Sequence, residues 1–154
     1  MAYIDYRELG ISNIKQRLID NKDNLSLKTL KRNSNDLVDK SSVNAIYIFE
    51  GRDNIVEHNS RNFLGYPARR MLELEIEIVA KNDRDGKAIK DLYQKTRLAI
   101  LCDKDNDNYT PNSTVADGVI IRELRTDGPH LYEIPELIGM RIVIGLYYTD
   151  YGVI

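Results

Sequence analysis

An α+β fold, a mainly antiparallel β-sheet with two α-helices packed on one face, is the architecture this sequence predicts. Three observations carry that expectation. Leu72, Leu74, Ile76 and Ile78 alternate with Glu73, Glu75 and Glu77, the period-two pattern of a strand with one packed and one wet face. After the polar turn Asn82-Asp83-Arg84-Asp85-Gly86, the residues Ile89, Leu92, Tyr93, Thr96 and Ile100 recur at helical spacing. Finally, the helix signals stand apart from clustered strand signals instead of alternating with them.

Taken in chain order, Asp5–Asp20 reads as a first helix, with Ile11, Ile14 and Leu18 on one face and Asp5 or Ser12 as its cap. Residues 20–44 are rich in Asn, Asp, Ser and Lys and read as an extended or loop segment; Leu25 and Leu27 alternate, the mark of a short strand there. Ala45–Glu50 is a strand rich in Ile and aromatic residues, stopped by Gly51, with Asn54–His58 as a weak return strand. Asn59–Arg70 reads as a loop holding the apolar cluster Phe63, Leu64 and Tyr66. Past the strand–helix unit, Asp103–Asp117 is a polar loop with four Asp and one Lys, so −4 + 1 = −3. Gly118–Leu124 is another strand, and Thr126–Glu133 a turn by its Gly128 and Pro129 chemistry.

The last element, Leu137–Thr149, is a long strand. Ile138, Met140, Ile142, Ile144, Leu146 and Tyr148 share one face, and Arg141, Val143 and Tyr147 the other. At ~3.3 Å per residue it spans about 40 Å. The turn before it suits a hairpin, hence antiparallel pairing.

A chain of 154 residues is expected to form one domain over 1–154, large enough to bury roughly 68–70% of its unfolded surface. Its 22 basic and 24 acidic residues leave a net charge of −2, which argues against a non-specific grip on duplex nucleic acid. Cys102 is the single cysteine, so no intramolecular disulfide framework forms; free cysteines of this kind are usually small core residues. No run approaches the ~18–20 apolar residues of a membrane span, and the N-terminus lacks a secretory pattern. A soluble product made in the cytoplasm is expected.

Asp103, Asp105 and Asp107 resemble the first half of a calcium loop, but Asn108 replaces the turn glycine and Thr114 the closing glutamate. Glu73, Glu75 and Glu77 raise a metal-dependent nuclease, yet Ile78-Val79-Ala80 separates them from Lys81, where such sites place a lysine close by. His58 and His130 have no second ligand at metal spacing, and no nucleophile elbow or phosphate-binding glycine loop is present. The expectation is therefore no catalytic residue, no cofactor and no metal. Ten tyrosines against two phenylalanines suit wet protein interfaces. Phe63, Leu64, Tyr66, Tyr147 and Tyr148 are the candidate subunit or partner contacts.

The order, length and character of the segments Ala45–Gly51, Leu72–Ala80, Gly86–Leu101, Gly118–Arg125 and Ile138–Tyr148 resemble the lambda-type tail terminator proteins of long-tailed bacteriophages. Members of that family have an N-terminal helix, a central sheet with a strand–helix unit, and a late strand pair. The resemblance implies a hexameric ring on the last ring of tail tube subunits. Such a ring stops polymerisation and offers a docking face to the neck or head, with the tail sheath as a further neighbour. Related folds serve as head–tail connector, neck and completion proteins. The implied place is the head-proximal end of the tail in the virion, assembled in the host cytoplasm. Residues 20–44 are longer than in the compact family pattern. In such a ring Glu73, Glu75 and Glu77 would face the lumen and let DNA slide past without specific binding. Two other classes compete with this reading: a small binding module and a metal-dependent hydrolase built on the glutamate strand.

Overall fold

The computed structural model describes residues 4–36, 38–58, 67–105 and 108–151. The chain opens with α1 (Tyr6–Asp20), the four-residue helical turn α2 (Lys22–Leu25) and a short strand, β1 (Thr29–Arg32). The strands β2 (Ala45–His58) and β3 (Ala68–Lys81) follow, then α3 (Lys87–Leu101). A small hairpin, β4 (Cys102–Asp105) and β5 (Asn108–Pro111), leads to β6 (Thr114–Ala116), β7 (Val119–Leu131) and β8 (Leu137–Asp150). The main sheet has six strands in the order β1-β2-β3-β8-β7-β6. All its neighbours pair antiparallel except β1 with β2.

The fold is mixed α+β, as expected, but the sheet is larger than the sequence implied and there are three helices rather than two. Alternation decides which face is which. On β3, Leu72, Leu74, Ile76 and Ile78 are wholly buried. Their partners on β8 are Leu146, Ile144, Ile142 and Met140. Against this face lie Ile11, Ile14 and Leu18 of α1 and Ile89, Leu92, Ala99 and Ile100 of α3. Each isoleucine or leucine among them contributes roughly 1.5–3 kcal/mol by leaving water. Gly10 lets α1 come close to β8, since a Cβ there would sit 2.7 Å from Leu146 Cδ1.

Local chemistry sets the helix ends. The Asp5 carboxylate accepts from the Glu8 N–H at 2.9 Å and caps α1. The Asp83 carboxylate accepts from the N–H groups of Gly86 and Ala88 ahead of α3, and these bonds hold its pKa below the ordinary value. Arg17 donates to the carbonyls of Ile100, Asn112 and Thr114, joining the end of α1 to the end of α3 and to β6.

Several sequence expectations need correction. Gly51 does not stop a strand: β2 runs on to His58, with its register shifting between Glu50 and Asp53, so the extra residues are absorbed as an irregularity. Thr126–Glu133 is not simply a turn, because β7 continues to Leu131. A second shift, between Asp127 and His130, takes up Gly128, whose φ is 107°, and Pro129. Residues 20–44 contain α2 and β1, with Leu25 in the helical turn, and the strand begins at Thr29. The polar segment 103–117 carries the β4–β5 hairpin and β6 instead of one loop. Cys102 begins β4 and is half-buried. No helix among the described residues is long and apolar enough to cross a membrane.

Candidate functional site

The face of the sheet away from α1 and α3 carries the chemistry. Period-two alternation along β3 puts Glu73, Glu75, Glu77 and Val79 there, and along β8 it puts Leu137, Arg141, Val143 and Tyr147 there. One rung crosses five strands through successive Cα partners: Lys31 with Tyr47, Tyr47 with Glu77, Glu77 with Arg141, and Arg141 with Asp127.

At the centre of that rung Glu77 is buried, 5% exposed. Its Oε2 accepts from Arg141 Nε at 2.8 Å, and its Oε1 is 2.6 Å from His130 Nε2 and also accepts from the Tyr132 hydroxyl. Arg141 reaches on to Glu75 at 3.4 Å. Gly139 makes room for this convergence. A Cβ there would lie 2.7 Å from His130 Nε2 and 2.8 Å from Glu77 Oε1. Burial, reinforced by the Glu77 carboxylate, pushes the Tyr132 hydroxyl well above the ordinary phenol range. Burial works against the charge of Arg141, but Glu77 and Glu75 outweigh it and its pKa is raised. Beside the cluster a cleft of about 240 Å³ is walled by Val38, Tyr47, Phe49 and Tyr132. Tyr47 and Phe49 stack with ring centroids 6.5 Å apart.

A second charged cluster ties α1 to the helix-side face. Asp53 on β2 accepts from Arg7 at 2.8 Å and from the Tyr148 hydroxyl. Glu50 accepts from Arg7, Arg32 and Asn33, and Arg32 also holds Glu8 in a two-pronged pair. Burial opposes the charge of Glu50, but Asn33, Arg7 and Arg32 prevail and lower its pKa. The Arg32 bonds likewise lower that of Glu8.

The three glutamates thus share a face, as the alternation implies, but they are not equally wet. Glu73 and Glu75 are half-buried, whereas Glu77 is closed over by β7, β8 and the turn between them. Tyr147 is half-buried on the same face, with the Arg122 guanidinium 5.7 Å from its ring centroid. Tyr148, proposed from sequence as an interface residue, points the other way; it is 7% exposed and spends its hydroxyl on Asp53. Phe63, Leu64 and Tyr66 lie outside the described residues, as do Asn106 and Asp107 of the calcium-like segment. Asp103 accepts from Asn112 at 2.8 Å. Among the described residues, no group of three or more His, Cys, Asp or Glu side chains is placed to hold a metal ion. Sequence reasoning missed His130, Tyr132 and Arg141 as partners of Glu77. Arg141 had a period-two position as a signal, but pairing it with Glu77 requires the β3–β8 register.

No protein-family model matches the chain. No curated protein matches it either. Among solved structures the fold is shared with a chain of the virion of a native gene transfer agent particle. The TM-score is 0.53 and the identity 12%, over 89% of this chain and 92% of that one.

Two outcomes are expected. Arg141→Ala leaves Glu77 without its cation and lowers unfolding free energy by about 1–3 kcal/mol in urea titrations, below the range for a fully buried pair because Arg141 is half-buried and His130 and Tyr132 remain. Adding Glu77→Gln to that variant recovers part of the loss. Glu50 and Glu8 have folded pKa values below the ordinary 4.5. Their contribution is therefore present above that value and lost as pH falls through the lowered folded values. Thermal scans from pH 6 to about pH 3 should show the melting temperature falling, and less steeply for Glu50→Gln.

Proposed function

We propose that the chain is a structural virion protein that forms a ring on the tail tube, ends tube polymerisation and presents a docking face to the neck or head. The observation that carries this reading is the shared fold with a virion chain over nearly the full length of both partners. The order of elements, which resembles tail terminators, supports the finer assignment to the head-proximal end of the tail. The proposed partners are further copies of this chain, the tube protein, a neck or completion protein and, in a contractile tail, the sheath. The reading assigns the chain no catalysis and no cofactor.

A closed ring of identical subunits needs two different, mutually complementary faces on each subunit. It also needs a lumen that does not hold DNA. Turned inward, Glu73 and Glu75 would repel phosphates over the Debye length of about 8 Å at physiological salt. Glu77, satisfied by three donors, would contribute structure rather than repulsion.

Deleting the gene and imaging the particles by electron microscopy tests the role. Tail tubes of unregulated length are the expected phenotype. Tails of normal length that fail to join heads would replace the capping role with that of a neck or completion protein, and wild-type particles would sink both. For the lumen, Glu73→Lys together with Glu75→Lys should slow DNA release while tail length stays normal. Unchanged release would remove these residues from the channel.

A further inference from the structure

The two side edges of the sheet are stepped, and the steps match. On one edge β1 pairs with Ala45–Ile48 of β2, and among the described residues no strand pairs with the outer edge from Gly51 to His58. On the other edge β6 and the residue before it cover β7 from Val119 to Ile121, and among the described residues no strand pairs with the outer edge of Glu123–Leu131. The ladders put the two short strands at opposite ends of the sheet. β1 lies level with Ile76–Val79 of β3, whereas β6 lies level with Met71. Each edge therefore projects at the level where the other is recessed.

Strand direction and charge agree with this fit. The four long strands β2, β3, β8 and β7 alternate in direction, and four is an even number. A second copy set beside the first in the same orientation thus brings its β1, which runs with β2, antiparallel to the first copy's β7. The rung through Glu77 begins with Lys31 on one edge and ends with Asp127 on the other, both on the same face. Level alignment places the cation of one copy against the carboxylate of the next. Among the described residues these two side chains make exposed pairs, Lys31 with Asp36 and Asp127 with Arg125 at 3.2 Å, which cost little to exchange. Exposed apolar side chains also mark both open edges: Ile55 and Val56 on β2, Leu124 and Leu131 on β7.

We infer that a second copy of this chain docks edge to edge, with β1 of one subunit in the recess beside β7 of the next and Lys31 facing Asp127. The contact is heterologous, the type that gives a ring where the rotation between neighbours closes and an open filament where it does not. Pro129 has no N–H to donate and falls in the shifted stretch opposite Leu30, so backbone pairing is short and side chains carry much of the contact. The inference rests on the ring reading and specifies its subunit interface.

The test combines Lys31→Cys with Asp127→Cys in a Cys102→Ser chain, which removes the native thiol. Oxidation at high protein concentration, and in extracts holding assembled tails, should give a ladder of cross-linked species ending at a closed ring. Either cysteine alone should give nothing beyond a dimer. In parallel, Lys31→Asp or Asp127→Lys should weaken self-association severalfold by light scattering, and the two together should restore it. An oligomer that neither cross-links nor responds to these charge changes overturns the edge contact but leaves the ring reading standing. A chain that stays monomeric, alone and with tails, overturns both.

Discussion

The ladder between β3 and β8 is the constraint on which the rest of the structure depends. It runs without a register shift from Ala68 opposite Asp150 to Lys81 opposite Leu137. A slip of one residue would carry Leu72–Ile78 to the charged face and the glutamates into the helices. Because the register holds, one face has an aliphatic centre that receives α1 and α3, with the Asp53 and Glu50 cluster at its β2 edge. The other face sorts charge into rungs, with Glu77 opposite Arg141 and Glu75 opposite Val143. Irregularity is exported to the flanking strands, where β2 and β7 both take up register shifts.

Burial of Glu77 follows from that arrangement. A lone carboxylate at this depth would carry a large desolvation cost. Three donors from β7, β8 and the turn between them offset it, and Gly139 leaves the space in which they meet. The cluster therefore acts as a fastener. It holds the end of the β7–β8 hairpin over the sheet, and the Asn82 N–H adds a bond to the Glu136 carbonyl at 2.8 Å. With the hairpin fixed, β7 presents a defined edge, and a defined edge is what assembly by side-to-side contact requires.

How much of this could be read from the sequence varied with the kind of signal. β3, α3 and β8 were legible because each has one continuous buried face, and that imposes a period of two or 3.6 on the residues. The sequence signals end β2 at Gly51 and β7 at Leu124, ahead of the turn residues Gly128 and Pro129; Gly51, Gly128 and Pro129 ordinarily end strands but here sit in register shifts. β1 carries only half-buried or exposed side chains, so it leaves little periodic trace. The charged cluster was partly legible. The glutamates' shared face was visible, but the covering of Glu77 depends on His130, Tyr132 and Arg141, which are 53 to 64 positions away. Tyr148 stands near a strand end in the sequence, yet its hydroxyl is spent on Asp53, a long-range contact that no local pattern announces.

The proposed capping role would put the chain where the tube ends. Cryo-electron microscopy of the assembled particle, with this chain fitted into the map, examines that directly. One ring of side-by-side copies is expected at the head-proximal end of the tail, with helices outward and the Glu73 face toward the channel. Density for the chain at any other position, or a ring whose subunits meet through their helices, would contradict it.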